Sequence, residues 1–131
     1  MLLDTNICVA LLKQNPLALR QFNAKISLCY LSTIVVAELY KGVYCSQQLQ
    51  HNLLVLEQFL SLMPVVEFDQ SAAKEFGKIQ AELKQIGKPT GELDAVIGAV
   101  ACSRQDILVT NNTRHFINIP NLQLENWLQL D

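Results

Sequence analysis

Charge is scarce in this sequence, and neither sign dominates. Only 17% of the residues are Asp, Glu, Lys or Arg, and the formal net charge is -2 at pH 7. A protein that coats nucleic acid through a broad basic surface needs many phosphate-neutralising side chains, so that mode is excluded while a local nucleic-acid site is not. Glycine and proline are few, five and four, and no segment repeats or becomes low in complexity. Half the residues are hydrophobic, which predicts a filled core rather than disorder. A chain of 131 residues suits one domain, over 1–131, better than two.

The four cysteines, Cys8, Cys29, Cys45 and Cys102, show no C-x-x-C spacing, and no histidines cluster with them. That argues against zinc and leaves them as small buried hydrophobes in a reducing compartment. Long hydrophobic runs are missing as well. AVIGAVAC, Ala95 to Cys102, is far short of the roughly 20 residues of a spanning helix, and the first residues lack the basic stretch of a signal peptide. The expectation is a soluble, cytoplasmic protein without a membrane partner. No glycine-rich phosphate loop follows a strand, which argues against a nucleotide-binding domain.

What is present is an alternation of strand and helix patterns. MLLD reads as a short first strand, followed by a helix from Thr5 and Asn6, and Pro16 opens a second helix through Phe22. Ile26 to Ser32 has strand composition, and Ser32 or Thr33 caps the helix TIVVAELYKGVY. Leu49, Leu53, Leu56 and Leu60 keep helical spacing up to Pro64. PVVEF then gives a third strand, SAAKEFGKIQAELKQI a helix closed by Gly87, and KPTGELD a loop into the helix DAVIGAVACSR. DILVTNN is a fourth strand centred on Ile107 to Val109, and NLQLENWL holds a short fifth. This order predicts an α/β/α sandwich around a mainly parallel central sheet of about five strands.

In such a sheet a ligand site lies off the carboxyl ends of the strands. Asp4 ends the first strand, and Asn111 and Asn112 end the fourth. Glu38 interrupts an otherwise apolar helix, and Asp94 heads one whose first turns are apolar. Asp4 could cap a helix, and Asp94 could complement a helix dipole. Glu38 is harder to assign a structural role, because it is neither at a terminus nor on an evidently polar face. A lone buried carboxylate is costly unless paired or bound to a cation. Hard oxygen ligands without a His or Cys cluster select Mg²⁺ or Mn²⁺, and a carboxylate-held ion of this kind suits phosphodiester hydrolysis.

The segments LLDTN (Leu2 to Asn6), STIVVAELYKG (Ser32 to Gly42), PTGELDAVIGAVA (Pro89 to Ala101) and VTNNTRHF (Val109 to Phe116), with the tail IPNLQLENWL, resemble PIN-domain ribonucleases of the VapC type. The resemblance covers essentially the whole chain, in order. It is closest to the branch that cuts the anticodon stem-loop of initiator tRNA. It implies a PIN-like fold and an endoribonuclease toxin of a toxin–antitoxin pair, with Asp4, Glu38 and Asp94 matching the three acids that hold Mg²⁺ or Mn²⁺. Asn112 matches a fourth position that is Asp in many PIN domains. One missing charge there implies one firmly bound ion, with a second weakened.

Thr5 and Asn6, and Thr110 from the fourth strand, are placed to orient those carboxylates. Lys84, Lys88 and Arg114 are candidate RNA phosphate contacts, each with a solvated face as its plainer explanation. The resemblance also implies a VapB-like antitoxin that reaches the acidic pocket with a basic residue. It further implies a homodimer, to which the apolar positions between Leu49 and Leu60 could contribute.

Two departures stand out: His115 occupies a position usually acidic in the family, and Gly98-Ala99 replaces its usual Ala-Ala. His115 lies close enough in sequence to alter substrate handling, although as a satisfied surface histidine it needs no role. Glu92 fits a first-turn dipole partner, and Tyr30, Tyr40, Phe116 and Trp127 fit the core. The competing expectation is a PIN fold that has lost catalysis and only binds RNA or a partner. A phospho-acceptor receiver domain fits poorly: Asp69 could stand for its acceptor, but VTNN offers no Lys.

Overall fold

The computed structural model describes residues 1–129. Five short strands alternate with seven helices among these residues. Strand β1 (Leu2–Leu3) runs into helix α1 (Thr5–Leu12) through Asp4, which is in extended backbone and accepts the Thr5 N–H. Helix α2 (Pro16–Lys25) begins with Pro16 inside a cap made by Asn15, whose side chain takes the Leu17 and Ala18 N–H groups. Ser32 closes β2 (Leu31–Ser32) and caps α3 (Thr33–Tyr44) by accepting the Val35 N–H.

Helix α4 (Leu49–Leu60) buries Leu56 and Phe59 and leads to β3 (Val65–Val66). Asp69 caps α5 (Gln70–Gln85). That helix ends in a Schellman turn: Gly87 stands at φ 66°, Gly87 N–H meets Lys84 O at 3.2 Å and Lys88 N–H meets Leu83 O at 3.0 Å. Helix α6 (Glu92–Ser103), strand β4 (Ile107–Val109), helix α7 (Thr113–Phe116) and strand β5 (Gln123–Glu125) complete the fold.

Every strand pair is parallel. One sheet has the order β1-β4-β5 and the other pairs β2 with β3. A parallel bridge between Leu2 and Tyr30 joins them, with Leu3 N–H on Tyr30 O at 3.2 Å and Tyr30 N–H on Met1 O at 3.0 Å. The five expected strands are therefore present as three plus two, in the overall order β3-β2-β1-β4-β5. Chain order turns outward through β2 and β3, then crosses back to β4. With right-handed crossovers, the helices of the first half and those of the second cover opposite faces. Between them, Leu2, Leu3, Leu31, Leu108 and Val109 are fully buried.

The sequence differs from the structure in three places. Ile26–Leu28 forms a 3-10 turn rather than the start of β2, because Ile26 and Leu28 point outward and only Leu31–Ser32 finds a partner, in Val65–Val66. Helix α6 starts at Glu92 after an extended Gly91, so Asp94 sits inside the first turn rather than at the head. Cys8 and Cys29 are buried and Cys102 half-buried, but Cys45 is exposed. Tyr30, Phe116 and Trp127 lie in the core, and Tyr40 is half-buried beside it. Among the described residues no helix is long and apolar enough to cross a membrane.

Candidate active site

Strand order reverses between β1 and β4, which makes the gap at their carboxyl ends the switch point of the sheet. Asp4 stands there, 4% exposed. Its Oδ1 accepts the Thr5 N–H at 2.8 Å, and its Oδ2 accepts the Thr110 hydroxyl at 2.7 Å and the Asn6 amide at 3.2 Å. Thr110 directly follows β4, is fully buried, and also accepts the Asn112 N–H at 3.0 Å. Asn6 Oδ1 accepts the Asn111 N–H at 2.9 Å. The two strand exits are thus laced together, and the lacing terminates on one carboxylate.

Glu38 reaches the same place from the middle of α3. Its Oε1 accepts the Thr5 hydroxyl at 2.6 Å, so Thr5 serves Asp4 with its backbone and Glu38 with its side chain. Asp94 arrives from the first turn of α6, half-buried, with His115 Nδ1 3.2 Å from its Oδ2. The electrostatics tie the acids together. Burial pushes the Asp4 carboxyl above its ordinary value, the Thr110 and Thr5 hydrogen bonds pull it back, and the charges of Asp94 and Glu38 push it up again.

Among the described residues, no three Asp, Glu, His or Cys side chains stand close enough to close around an ion as they are. Glu38 and Asp94 each face a separate neighbour, Thr5 and His115, and the three carboxylates carry like charge. A cation would oppose their repulsion.

The other expected site residues divide. Thr5, Asn6 and Thr110 all touch the acids. Asn112 enters through its backbone N–H, while its exposed side chain leaves α7 uncapped. Lys88 and Arg114 line a cleft of about 410 Å³ together with Thr90, Asp94 and His115. Lys84 lies outside that cleft, in a neighbouring groove bounded by Gly87 and Glu92. On the other side, a groove of about 610 Å³ leads away from Thr5 and Glu38 between α1, α3 and α4, over Val9, Leu39 and Val55.

The sequence singled out His115 only as a departure from the family pattern and did not reveal its contact with Asp94, which bridges the consecutive helices α6 and α7 across β4. The available signal was Gly98, four residues after Asp94 on the same face of α6. A Cβ there would lie 2.9 Å from Ile119 Cδ1 and 3.8 Å from Phe116 Cδ1, so a bare glycine marks where the α7 segment closes on α6.

The PIN domain profile matches residues 1–122. The chain is 40% identical over 127 residues to the tRNA(fMet)-specific endonuclease VapC of Shigella flexneri, covering 96% of each. It is 41% identical over 128 residues to ribonuclease VapC2 of Haemophilus influenzae, covering 97% of each. Its fold superposes on DNA-bound VapBC from Salmonella typhimurium with a TM-score of 0.92 at 38% identity, over 96% of both chains.

Proposed function

Because this chain belongs to the PIN domain family, among its VapC ribonucleases, we propose that it is, over residues 1–131, one PIN domain acting as the endoribonuclease toxin of a toxin–antitoxin pair. Its substrate is RNA, with tRNA the first class to test, as the name of the Shigella flexneri relative suggests. The observation that supports this most is Asp4, buried at the switch point, with the charges of Asp94 and Glu38 acting on its carboxyl.

The donor set fits a divalent cation. Asp4 is buried with two further carboxylate charges nearby, and among the described residues no Lys or Arg forms an ion pair with any of the three acids. Asp4, Glu38 and Asp94 would hold the ion, and oxygen-only donors favour Mg²⁺ or Mn²⁺. When bound, such an ion polarises a phosphoryl oxygen and lowers the pKa of an attacking water.

The chain's own residues do the rest. Thr110 and Asn6 fix Asp4 Oδ2, and Thr5 fixes Glu38 Oε1, so the carboxylates are held before substrate arrives. Lys88 and Arg114 place positive charge in the cleft beside Asp94, where an RNA backbone can lie, and Lys84 extends that charge along the next groove. No side chain acts as a covalent nucleophile. Asn112 adds no charge, which favours one firmly held ion.

Cleavage of total tRNA with added Mg²⁺ or Mn²⁺ tests the reading. The chain should cut, and Asp4→Asn and Asp94→Asn should not; full activity in both variants would overturn the assignment. Sequencing new RNA 5′ ends after brief induction identifies the substrate.

A VapB-like antitoxin is the proposed partner, and the groove beside Glu38 offers an apolar path to the acids. Coexpression with a short adjacent reading frame should yield a complex and suppress cutting. A homodimer is proposed as well. Leu49 and Leu54 on α4 stay exposed while Leu56 and Phe59 serve the core, and a strictly monomeric mass by light scattering counts against it. The site needs no membrane, and the cytoplasm, where tRNA is found, is the proposed location.

A further inference from the structure

The contact between His115 and Asp94 is not explained by core packing, since both side chains are partly open to solvent, 45% and 30%. We propose that His115 is a positioning residue: its imidazole holds one oxygen of Asp94 so that the other is presented to a divalent cation. This rests on the reading of Asp94 as a ligand and adds a residue to it.

Three features of the fold put the imidazole where it is needed. Its Nδ1 lies 3.2 Å from Asp94 Oδ2. The Thr90 hydroxyl donates to the His115 carbonyl at 2.9 Å, which ties the loop before α6 to α7 on the other side of the same contact. Gly98, one turn below Asp94, lets Ile119 and Phe116 approach α6 without a Cβ between them, and that close approach fixes the height of His115 against Asp94.

A competing arrangement makes the tether useful. Gly91 leaves the start of α6 without a side-chain cap, so the backbone N–H groups of the first turn lack an acceptor. A carboxylate in that turn can fold back over them. An Asp94 that did so would point at its own helix rather than at Asp4. Asp94 Oδ2 lies on the Gly91 side, 3.7 Å from where a Cβ of that residue would stand, and the His115 contact on the same oxygen at 3.2 Å restricts its rotamers and leaves the other oxygen to be presented. An imidazole approaching through Nδ1 does this without the fixed positive charge that a Lys or Arg at the same place would bring.

Calorimetric titration of the full chain with Mn²⁺ alone, without RNA and at one fixed pH, tests the proposal. The unsubstituted chain should bind, and Asp94→Asn should lose binding. His115→Ala should bind about 10-fold or more weakly, the scale on which loss of a ligand's hydrogen-bond partner lowers metal affinity. His115→Asn, which keeps an N–H donor near the Nδ1 position, should recover part of the loss. Melting temperatures without ion should be the same for His115→Ala and the unsubstituted chain, because the side chain is exposed.

No binding by the unsubstituted chain, or unchanged binding in Asp94→Asn, overturns the ligand reading and this proposal with it. Loss in Asp94→Asn with unchanged or tighter binding in His115→Ala overturns the positioning role alone. So does failure of His115→Asn to bind better than His115→Ala.

Discussion

Two aspartates stand at opposite ends of the paired strands β1 and β4, and they are treated differently. Asp106 precedes β4. Its Oδ2 lies 2.9 Å from the amino group of Met1, and its Oδ1 accepts the Ile107 N–H at 2.7 Å. Partial burial pushes its carboxyl up, but those bonds outweigh it and hold the group below its ordinary value. Asp4 follows β1 and has three hydrogen bonds of its own but no cation, so burial wins and its carboxyl sits above the ordinary value. Glu125 repeats the first pattern: Lys25 Nζ at 2.7 Å and the Trp127 indole N–H at 2.8 Å outweigh its burial. The fold neutralises acids that serve its structure. It leaves the acids at the switch point with donors that orient them and no charge that neutralises them.

The widest separation between the two aspartates is expected in catalysis. Asp4→Asn and Asp94→Asn should lower RNA cleavage by more than about 100-fold, the scale for losing one preorganised electrostatic group, while Asp106→Asn should cut at close to the original rate. A cleavage time course on the three variants decides this. Equal losses in all three would mean that the contrast is one of stability only.

Ion-linked stability should separate them next. At roughly 100 times its dissociation constant, Mn²⁺ should stabilise the chain against urea by about 2.7 kcal/mol. Asp106→Asn should retain that gain and Asp4→Asn should lose it.

Thr110→Val probes the lacing itself. It strips Asp4 of a hydroxyl donor and leaves the Asn112 N–H without its acceptor. A loss of about 1–3 kcal/mol without ion is expected from such a buried deletion. Thr110→Ser should restore most of it, and equal urea midpoints for Val and Ser would show that the hydroxyl contributes nothing.

The pH dependence of stability should differ in sign. Asp106 and Glu125 titrate lower in the folded state than unfolded, so their contribution is present above their unfolded values, about 3.9 and 4.3, and is lost as pH falls through the folded ones. Asp4 titrates higher when folded. Its contribution favours folding on the acid side and is lost as pH rises through the folded value. Melting temperatures measured against pH in chelator should therefore show Asp106→Asn falling furthest behind the original chain above the carboxylate range. The deficit of Asp4→Asn should shrink there.

The smallest effect is expected among the cations. Lys88→Ala and Arg114→Ala should each reduce the salt dependence of RNA binding by about one unit of log-log slope. Lys84→Ala should reduce it less, because Lys84 lies outside the cleft that contains Asp94.

Much of this was legible in the sequence because the signals are local. Ser32 as cap, Pro16 in the first turn of α2 and Gly87 past the end of α5 each act within one helical turn, and α3 runs over the TIVVAELYKGVY segment that its pattern marked out. Ile26–Leu28 was misassigned as strand because apolar composition does not say whether a neighbour will be there to pair with it. Asp94 was placed at the head of α6 because an acid is a common cap; an extended Gly91 took that place without any side-chain signal. His115 stands out in the sequence as a departure, but its contact with Asp94 does not, because that partner is set by the approach of α7 to α6, which no short window contains.

By itself, the sequence determined which acids are costly to bury without a partner, and that a parallel α/β sheet would carry Asp4 at a strand exit. Those follow from periodicity, capping chemistry and the energetics of a charge among apolar residues, all of which act over a few positions. Only the tertiary structure decided that Thr5 links Asp4 to Glu38, that Thr110 crosses from β4 to hold Asp4, and that His115 rather than a lysine meets Asp94. Hydrogen bonds of this kind depend on a few tenths of an ångström between elements remote in the chain, a precision set by how the helices and strands pack.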